Sequence, residues 1–183
     1  MLDEAKALEI LKQHVKETDV IKHCITVNKV AMRVCNEIVS KNPELTPDVN
    51  LVYWGSILHD IGRSKTHGIK HGLEGCKILE ELAQSELYKD ERDTLLKIAK
   101  ICKFHIGAGL DEKDAKELGL PEGSYMPMTL EEKIVAYADN LVEGADKVRD
   151  DKWAEEMYEK KFGPGGKPTK RLKELNAFIR KLM

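Results

Sequence analysis

The chain has 183 residues, with 30 Lys and Arg against 32 Asp and Glu, for a net charge of −2. That length suits one well-packed domain rather than two. The balanced charge excludes a dedicated binder of nucleic acid or anionic membranes, which carries a clear basic excess, and no apolar run approaches the roughly 20 residues that span a bilayer.

The N-terminus (Met1-Leu2-Asp3-Glu4-Ala5-Lys6) mixes charges and lacks the basic-then-apolar order of a signal peptide. Leu8, Leu11 and Val15 mark a first helix over roughly 3–17. Asp19 is a cap for a second, running to about Ser40 with Cys24, Val27, Ala31, Val34 and Ile38 as its stripe. Two prolines in Asn42-Pro43-Glu44-Leu45-Thr46-Pro47 predict a loop. A third helix carries Leu51, Val52, Trp54, Gly55 and Leu58 into the pair His59-Asp60, after which Gly62 lets the backbone turn.

A polar turn over 62–70 precedes a fourth helix, about His71 to Gln84, and a fifth, about Asp90 to His105. A short helix from Asp111 to Leu118 and a loop to Met128 follow. Thr129-Leu130-Glu131-Glu132 is a capping box that opens a helix with Val135, Ala138, Val142 and Ala145 on one face. Another amphipathic helix, about Asp151 to Phe162, ends at the breaker Gly163-Pro164-Gly165-Gly166. The last stretch, Thr169 to Met183, sets Leu172, Leu175, Phe178 and Leu182 among basic residues. With no sustained period-two alternation, the expectation is an all-α bundle of about eight helices: one domain with a motif-bearing core at about 19–145 and a C-terminal helical appendage at about 151–183. The cysteines (Cys24, Cys35, Cys76, Cys102) fall within helical patterns without C-x-x-C pairing. They read as small buried hydrophobes in a reducing compartment, so a cytoplasmic protein is expected.

Several polar residues stand on the apolar side of these helices. His23 precedes Val27, Val30 and Val34 by 4, 7 and 11 positions, and His71 stands in the same relation to Gly75, Ile78 and Leu82. His59 follows Gly55 and Val52, His105 follows Ile101 and Ile98, and Asp139 lies between Val135 and Val142. Imidazoles and carboxylates that persist in a core are paired or bound to metal. Neutral imidazoles with carboxylates and no thiolate suit Mn, Fe, Co, Ni or Zn better than Ca or Mg. Four histidines and two aspartates, Asp60 included, exceed what one tetrahedral ion needs and point to two ions with a bridging carboxylate.

His23, then Leu58-His59-Asp60-Ile61-Gly62, then Ala138-Asp139, resembles the HD superfamily of metal-dependent phosphohydrolases, in particular its HDIG subset. The resemblance implies that His23, His59, Asp60 and Asp139 hold one metal. It also implies that His71 (in His71-Gly72-Leu73-Glu74-Gly75) and His105 take a second, with Asp60 bridging. The chain departs from the HD-GYP phosphodiesterases: Phe104 and Ile106 flank His105, and no Gly-Tyr-Pro occurs. Bacterial diadenosine tetraphosphate hydrolases of the superfamily share a similar six-residue set and are the nearer analogy.

The expected function is hydrolysis of a phosphate mono- or diester, of a nucleotide in particular, by a metal-activated water. The alternative is a non-catalytic nucleotide-sensing or scaffold domain with a regulatory or structural metal. Arg63 and Lys65 follow the His-Asp pair, where a guanidinium grips phosphate bidentately and an ammonium neutralises a second oxygen. With Asp60 they are the expected catalytic residues. His67 is read as exposed and His14 as structural. Lys167, Lys170, Arg171 and Lys173 are expected to form a solvated basic face. The expected partner is a small phosphorylated substrate, with neither membrane nor nucleic acid; the sequence leaves the oligomeric state open.

Overall fold

The computed structural model describes residues 4–183 and is helical almost throughout. Among these residues nine α-helices run in order: α1 (Glu4–His14), α2 (Thr18–Lys41), α3 (Val49–Leu58), α4 (His71–Gln84), α5 (Arg92–Phe104), α6 (Glu112–Glu117), α7 (Leu130–Asn140), α8 (Asp151–Phe162) and α9 (Lys167–Leu182). Short 3-10 turns at Ile61–Ser64 and Glu86–Glu91 complete the helical set. The only sheet among the described residues is a two-residue antiparallel ladder, β1 (Val142–Glu143) on β2 (Lys147–Val148). No helix among the described residues is long and apolar enough to cross a membrane.

The bundle is built around α3. Leu51, Val52, Trp54, Gly55, Ser56, Ile57 and Leu58 are all buried, so this helix is covered nearly all round. Helices α1, α2, α5 and α7 pack on it. A helix without a polar face has to sit inside its bundle. Each fully buried Leu or Ile, such as Leu58 or Ile101, contributes about 1.5–3 kcal/mol relative to exposure. The polar group α3 buries is paired: Asn28 of α2 donates to Ser56 Oγ at 2.9 Å, and that hydroxyl donates to the Val52 carbonyl.

Two close approaches fix the region after α3. A Cβ on Gly62 would collide with the His71 carbonyl and the Gly75 backbone nitrogen, so only glycine lets the 3-10 turn lie against the start of α4. Gly62 does not adopt a positive φ. Its role is therefore space, not the conformational freedom expected from sequence. The same packing brings His71, the first residue of α4, back beside Asp60.

Several expectations need correction. The helix opened by the Thr129 capping box exists, with both reciprocal bonds made, but it stops at Asn140. Val142 lies in β1, and Ala145 lies in the turn, because Gly144 takes φ 63° and reverses the chain. Asp19 is not the cap of α2: Glu17 occupies that position without a side-chain bond, and Asp19 sits in the first turn. In α9 the inward residue is Ile179, whereas Phe178 is exposed beneath the Lys133 ammonium, 4.8 Å from its ring centroid. The C-terminal helices pack onto the rest of the bundle. Helices α8 and α9 pack together and α9 packs on α7, placing Ala154, Leu172, Leu175 and Ile179 in the main apolar cluster. Three of the four basic residues expected there to form a solvated face are matched by acids: Lys167 and Arg171 reach Asp111, Arg171 also bonds Asp114, and Lys173 bonds Glu159, while Lys170 stays exposed.

Candidate metal centre

Six side chains converge at one end of the bundle. His23 comes from the second turn of α2, His59 and Asp60 from just beyond α3, and His71 from the start of α4. His105 caps the C-terminus of α5, and Asp139 is in the last turn of α7. Helix ends supply what holds the imidazoles. The last carbonyls of a helix lack intrahelical partners, and His59 Nδ1 meets the Ser56 carbonyl at 2.8 Å while His105 Nδ1 meets that of Cys102 at 2.7 Å. His71 Nδ1 meets the Gly68 carbonyl at 2.9 Å, again three residues back, and His23 Nδ1 meets that of Gly144 at 2.8 Å.

These four contacts determine the tautomers. A carbonyl only accepts, so each Nδ1 carries the proton and each neutral ring presents a lone pair at Nε2. All four Nε2 atoms point at carboxylate oxygens or at each other. Asp139 Oδ1 lies 2.9 Å from His23 Nε2 and 3.5 Å from His59 Nε2. Asp60 Oδ1 lies 3.1 Å from His71 Nε2 and 3.5 Å from His105 Nε2, and those two nitrogens are 3.1 Å apart. Asp60 Oδ2 faces the other way, 3.8 Å from His23 Nε2 and 3.7 Å from His59 Nε2. Acceptors at these spacings repel unless a cation sits between them.

Three overlapping groups have ligand atoms within 4.8 Å of one another: His23, His59 and Asp60; His59, His105 and Asp139; and Asp60, His71 and His105. His59 Nε2 and Asp60 Oδ1 are buried and make no hydrogen bond. An orphaned buried polar atom is costly, and two of them among these imidazoles and carboxylates fit a divalent ion. The division of Asp60 is the geometry a bridging carboxylate requires: one oxygen joins the His71–His105 pair, the other the His23–His59–Asp139 group. Each of the four rings also donates its other N–H to a fixed backbone carbonyl, the contact that orients a metal-binding imidazole.

The electrostatics express the same demand for positive charge. Burial works to raise the Asp60 carboxyl, but the surrounding His59, His105 and His71 outweigh it and hold it well below the usual range. Asp139 is likewise lowered, by His23 and His59 against burial. Burial opposes the charged form of His23, yet its hydrogen bond to Asp139 and the charges of Asp139 and Asp60 push it up to about 9, so without a metal the cation between His23 Nε2 and Asp139 is a proton, which a bound ion would replace. His105, enclosed at 2% exposure, is lowered by burial and by its histidine neighbours despite Asp60.

His59 is fully buried, and the other five of these six side chains line a cavity of about 590 Å³. Of the expected catalytic residues, Arg63 lines it, with Nε donating to Asp60 Oδ2 at 2.5 Å. Lys65 is exposed and borders a different hollow with Thr66, Ile69 and Glu74. His67 reaches the rim, largely exposed, with Nε2 3.7 Å from Glu17 Oε1. His14 bonds the Ile10 carbonyl of its own helix. Sequence reasoning missed the far wall, made by β1, its turn and α8, including Trp153, Met157 and Tyr158. Tyr158 donates to Asn140 Oδ1 at 2.8 Å, and Asn140 donates to the Gly107 carbonyl, so the wall is tied to the loop after His105.

A helical bundle that gathers histidines and aspartates from its helix ends around an open cavity defines a class of metal-binding helical domain. The chain belongs to the HD-domain family, whose model matches residues 20–144, and HD domains are a superfamily of metal-dependent hydrolases. It is 44% identical to an uncharacterized protein of Methanocaldococcus jannaschii over 178 residues, 97% of each chain. It is also 41% identical over 159 residues, 87% of this chain, to a tRNA (cytidine(56)-2'-O)-methyltransferase of Picrophilus torridus. The protein of the same name from Thermoplasma volcanium is 33% identical over 147 residues, 80% of this chain. The matched regions are 41% and 38% of those two proteins' own lengths. No solved structure matches the chain.

Proposed function

We propose that the protein is a metal-dependent phosphohydrolase that cleaves a phosphate mono- or diester of nucleotide type. The observation that carries this reading is the cluster of four imidazole Nε2 atoms and two carboxylates set in the floor of a solvent-accessible cavity. His23, His59, Asp60 and Asp139 would hold one ion, and Asp60, His71 and His105 the other. Divalent ions such as Mn, Fe, Co, Ni or Zn would supply Lewis-acid chemistry, activating water and polarising a phosphoryl oxygen. The chain's own contribution is positional. Backbone carbonyls lock each imidazole, buried Asp60 keeps both oxygens aimed inward, and Arg63 stands at the rim where its guanidinium can turn from Asp60 to a phosphate oxygen.

A purely structural ion is the less supported reading, because a structural site is closed by its own ligands, whereas five of these six ligands line a cavity of about 590 Å³. Kinship with proteins named as tRNA methyltransferases favours including RNA-derived phosphates among the substrates. Methyl transfer is not part of this reading, since the shared region is about two fifths of those proteins' lengths. Four buried, unpaired cysteines accord with the reducing, cytoplasmic setting it assumes. The test is a panel of nucleoside mono-, di- and triphosphates, cyclic nucleotides, dinucleotides and tRNA fragments, with each metal in turn. Metal-dependent release of phosphate or nucleotide is expected. Two bound ions with no turnover anywhere on the panel would leave a sensor or scaffold.

A further inference from the structure

The cavity has two unlike halves. Its floor is the ligand cluster, and its far wall is apolar, formed by Val20, Val142, Ala145, Trp153, Ala154 and Met157. The last three belong to α8, beyond the residues 20–144 that match the HD model. The α8 part of this wall therefore lies outside the matched region. Trp153 and Met157 are four residues apart and share one face of the helix. Trp153 is half-buried and Met157 is 43% exposed, an indole and a thioether presented to the cavity. The Arg149 guanidinium lies 5.6 Å from the indole centroid and is itself held by Glu143 at 2.6 and 2.9 Å, which steadies the ring.

Resting on the phosphohydrolase reading, we infer that this wall seats the base of a nucleotide whose phosphate lies over the ligand cluster, with Trp153 as the stacking platform and Met157 closing beside it. Three observations commit the wall to a planar heterocycle. It shares one cavity with the phosphate end. The volume falls within the roughly 300–1,000 Å³ of small-molecule sites. Its chemistry, an aromatic face and a polarisable sulfur, is that of base stacking.

Most of the hydrogen-bonding groups around the wall are already engaged, the Asp19 carboxylate and the Trp153 indole N–H excepted. Tyr158 donates to Asn140, Asn140 donates to the Gly107 and Ala136 carbonyls, His23 takes the Gly144 carbonyl, and Thr26 takes that of Ala145. Recognition thus comes mainly from stacking area, so purines are preferred to pyrimidines.

The test is binding of adenosine 5'-monophosphate, cytidine 5'-monophosphate and ribose 5-phosphate to the metal-loaded protein, read by calorimetry and by tryptophan fluorescence. Of the two tryptophans, Trp54 is buried in α3, so quenching by a stacked base reports on Trp153. The adenine nucleotide should quench the signal and bind about 10- to 100-fold more tightly than ribose 5-phosphate, with the cytidine nucleotide between them. Trp153→Ala should erase most of that gap while ribose 5-phosphate binds as before, and Trp153→Phe should keep most of it. Met157→Ala, at an exposed position that folding tolerates, should narrow the gap without closing it. Equal affinity for the nucleotide and the sugar phosphate in the unmodified protein would overturn the base seat and leave phosphate hydrolysis standing. Failure of all three compounds to bind with any metal would overturn both.

Discussion

Arg63 Nε donates to Asp60 Oδ2 at 2.5 Å, and that oxygen is the one facing His23 and His59. The guanidinium thus supplies the positive charge that the bridging carboxylate needs in the absence of an ion. A metal in the His23–His59–Asp139 group and Arg63 would compete for one atom, so loading the centre frees Arg63 for substrate.

This competition makes Arg63→Ala informative in two states. Without metal, removing one partner of a largely buried pair should destabilise the protein towards the low end of ~3–5 kcal/mol, because Arg63 retains 29% side-chain exposure. Loaded with metal, the variant should regain most of that stability. Its kcat should fall about 30- to 1,000-fold, from loss of a contact worth about 2–4 kcal/mol in the transition state, with KM changed less. Arg63→Lys should recover only part, because an ammonium cannot reproduce the fork. Denaturation curves and steady-state kinetics check both halves; unchanged kinetics in Arg63→Ala would confine this residue to holding Asp60.

The two ends of Asp60 should be separable by mutation. His71→Ala or His105→Ala is expected to remove mainly the ion on the Oδ1 side, leaving one held by His23, His59, Asp60 and Asp139. Hydrolysis should drop steeply in both. Full metal content and full activity in either variant would mean that the His71–His105 pair is only core packing.

Gly62 provides a test at a residue that bears no ligand. Gly62→Ala should push the turn away from the His71 carbonyl, costing about 1–3 kcal/mol as an overpacked core change does. His71 should move off Asp60 in consequence, so metal content should fall before the fold is lost. Elemental analysis of the folded variant at low temperature checks this; unaltered metal content would show that α4 shifts without disturbing the site.

An acid-side prediction comes from Asp111, whose carboxyl is pushed down to about 2 by the Asp114 backbone amide, against a small opposing effect of burial, with help from Lys167 and Arg171. Its folded pKa lies below its unfolded value. Its contribution to stability is therefore complete above about pH 4 and is lost as the pH falls towards 2. Asp111→Asn keeps an acceptor for the cap but loses the charge. The stability difference between the two proteins should be steady from pH 7 to 4 and shrink below that; a difference that grows in acid would reverse the assigned sign.

Much of the centre was legible because helical periodicity states which residues face inward. His23, His59, His71, His105 and Asp139 each fall in register with an apolar stripe; all but the fully buried His59 line the cavity. Periodicity was silent about what each ligand touches. Nothing in the spacing pairs Arg63 with Asp60, since that contact depends on the 3-10 turn that follows His59-Asp60. Nor did spacing place Lys65 away from the cavity. Val142 and Ala145 fit a helical stripe as well as they fit a hairpin, and Gly144 was the one signal that α7 could not continue. The α8 wall was hidden for a further reason. Its amphipathic pattern showed that it packs against something, but a pattern within one helix does not say which cavity that helix closes.

The central claim, that six converging side chains form a metal centre bridged by Asp60, is tested most directly by elemental analysis of protein purified without chelator, alongside Asp60→Ala. One to two transition-metal ions per chain are expected in the unmodified protein, approaching two after incubation with excess ion, and most of both should be missing from Asp60→Ala. Protein that remains metal-free after incubation with each of Mn, Fe, Co, Ni and Zn, or an Asp60→Ala variant that keeps its full complement, would contradict the account.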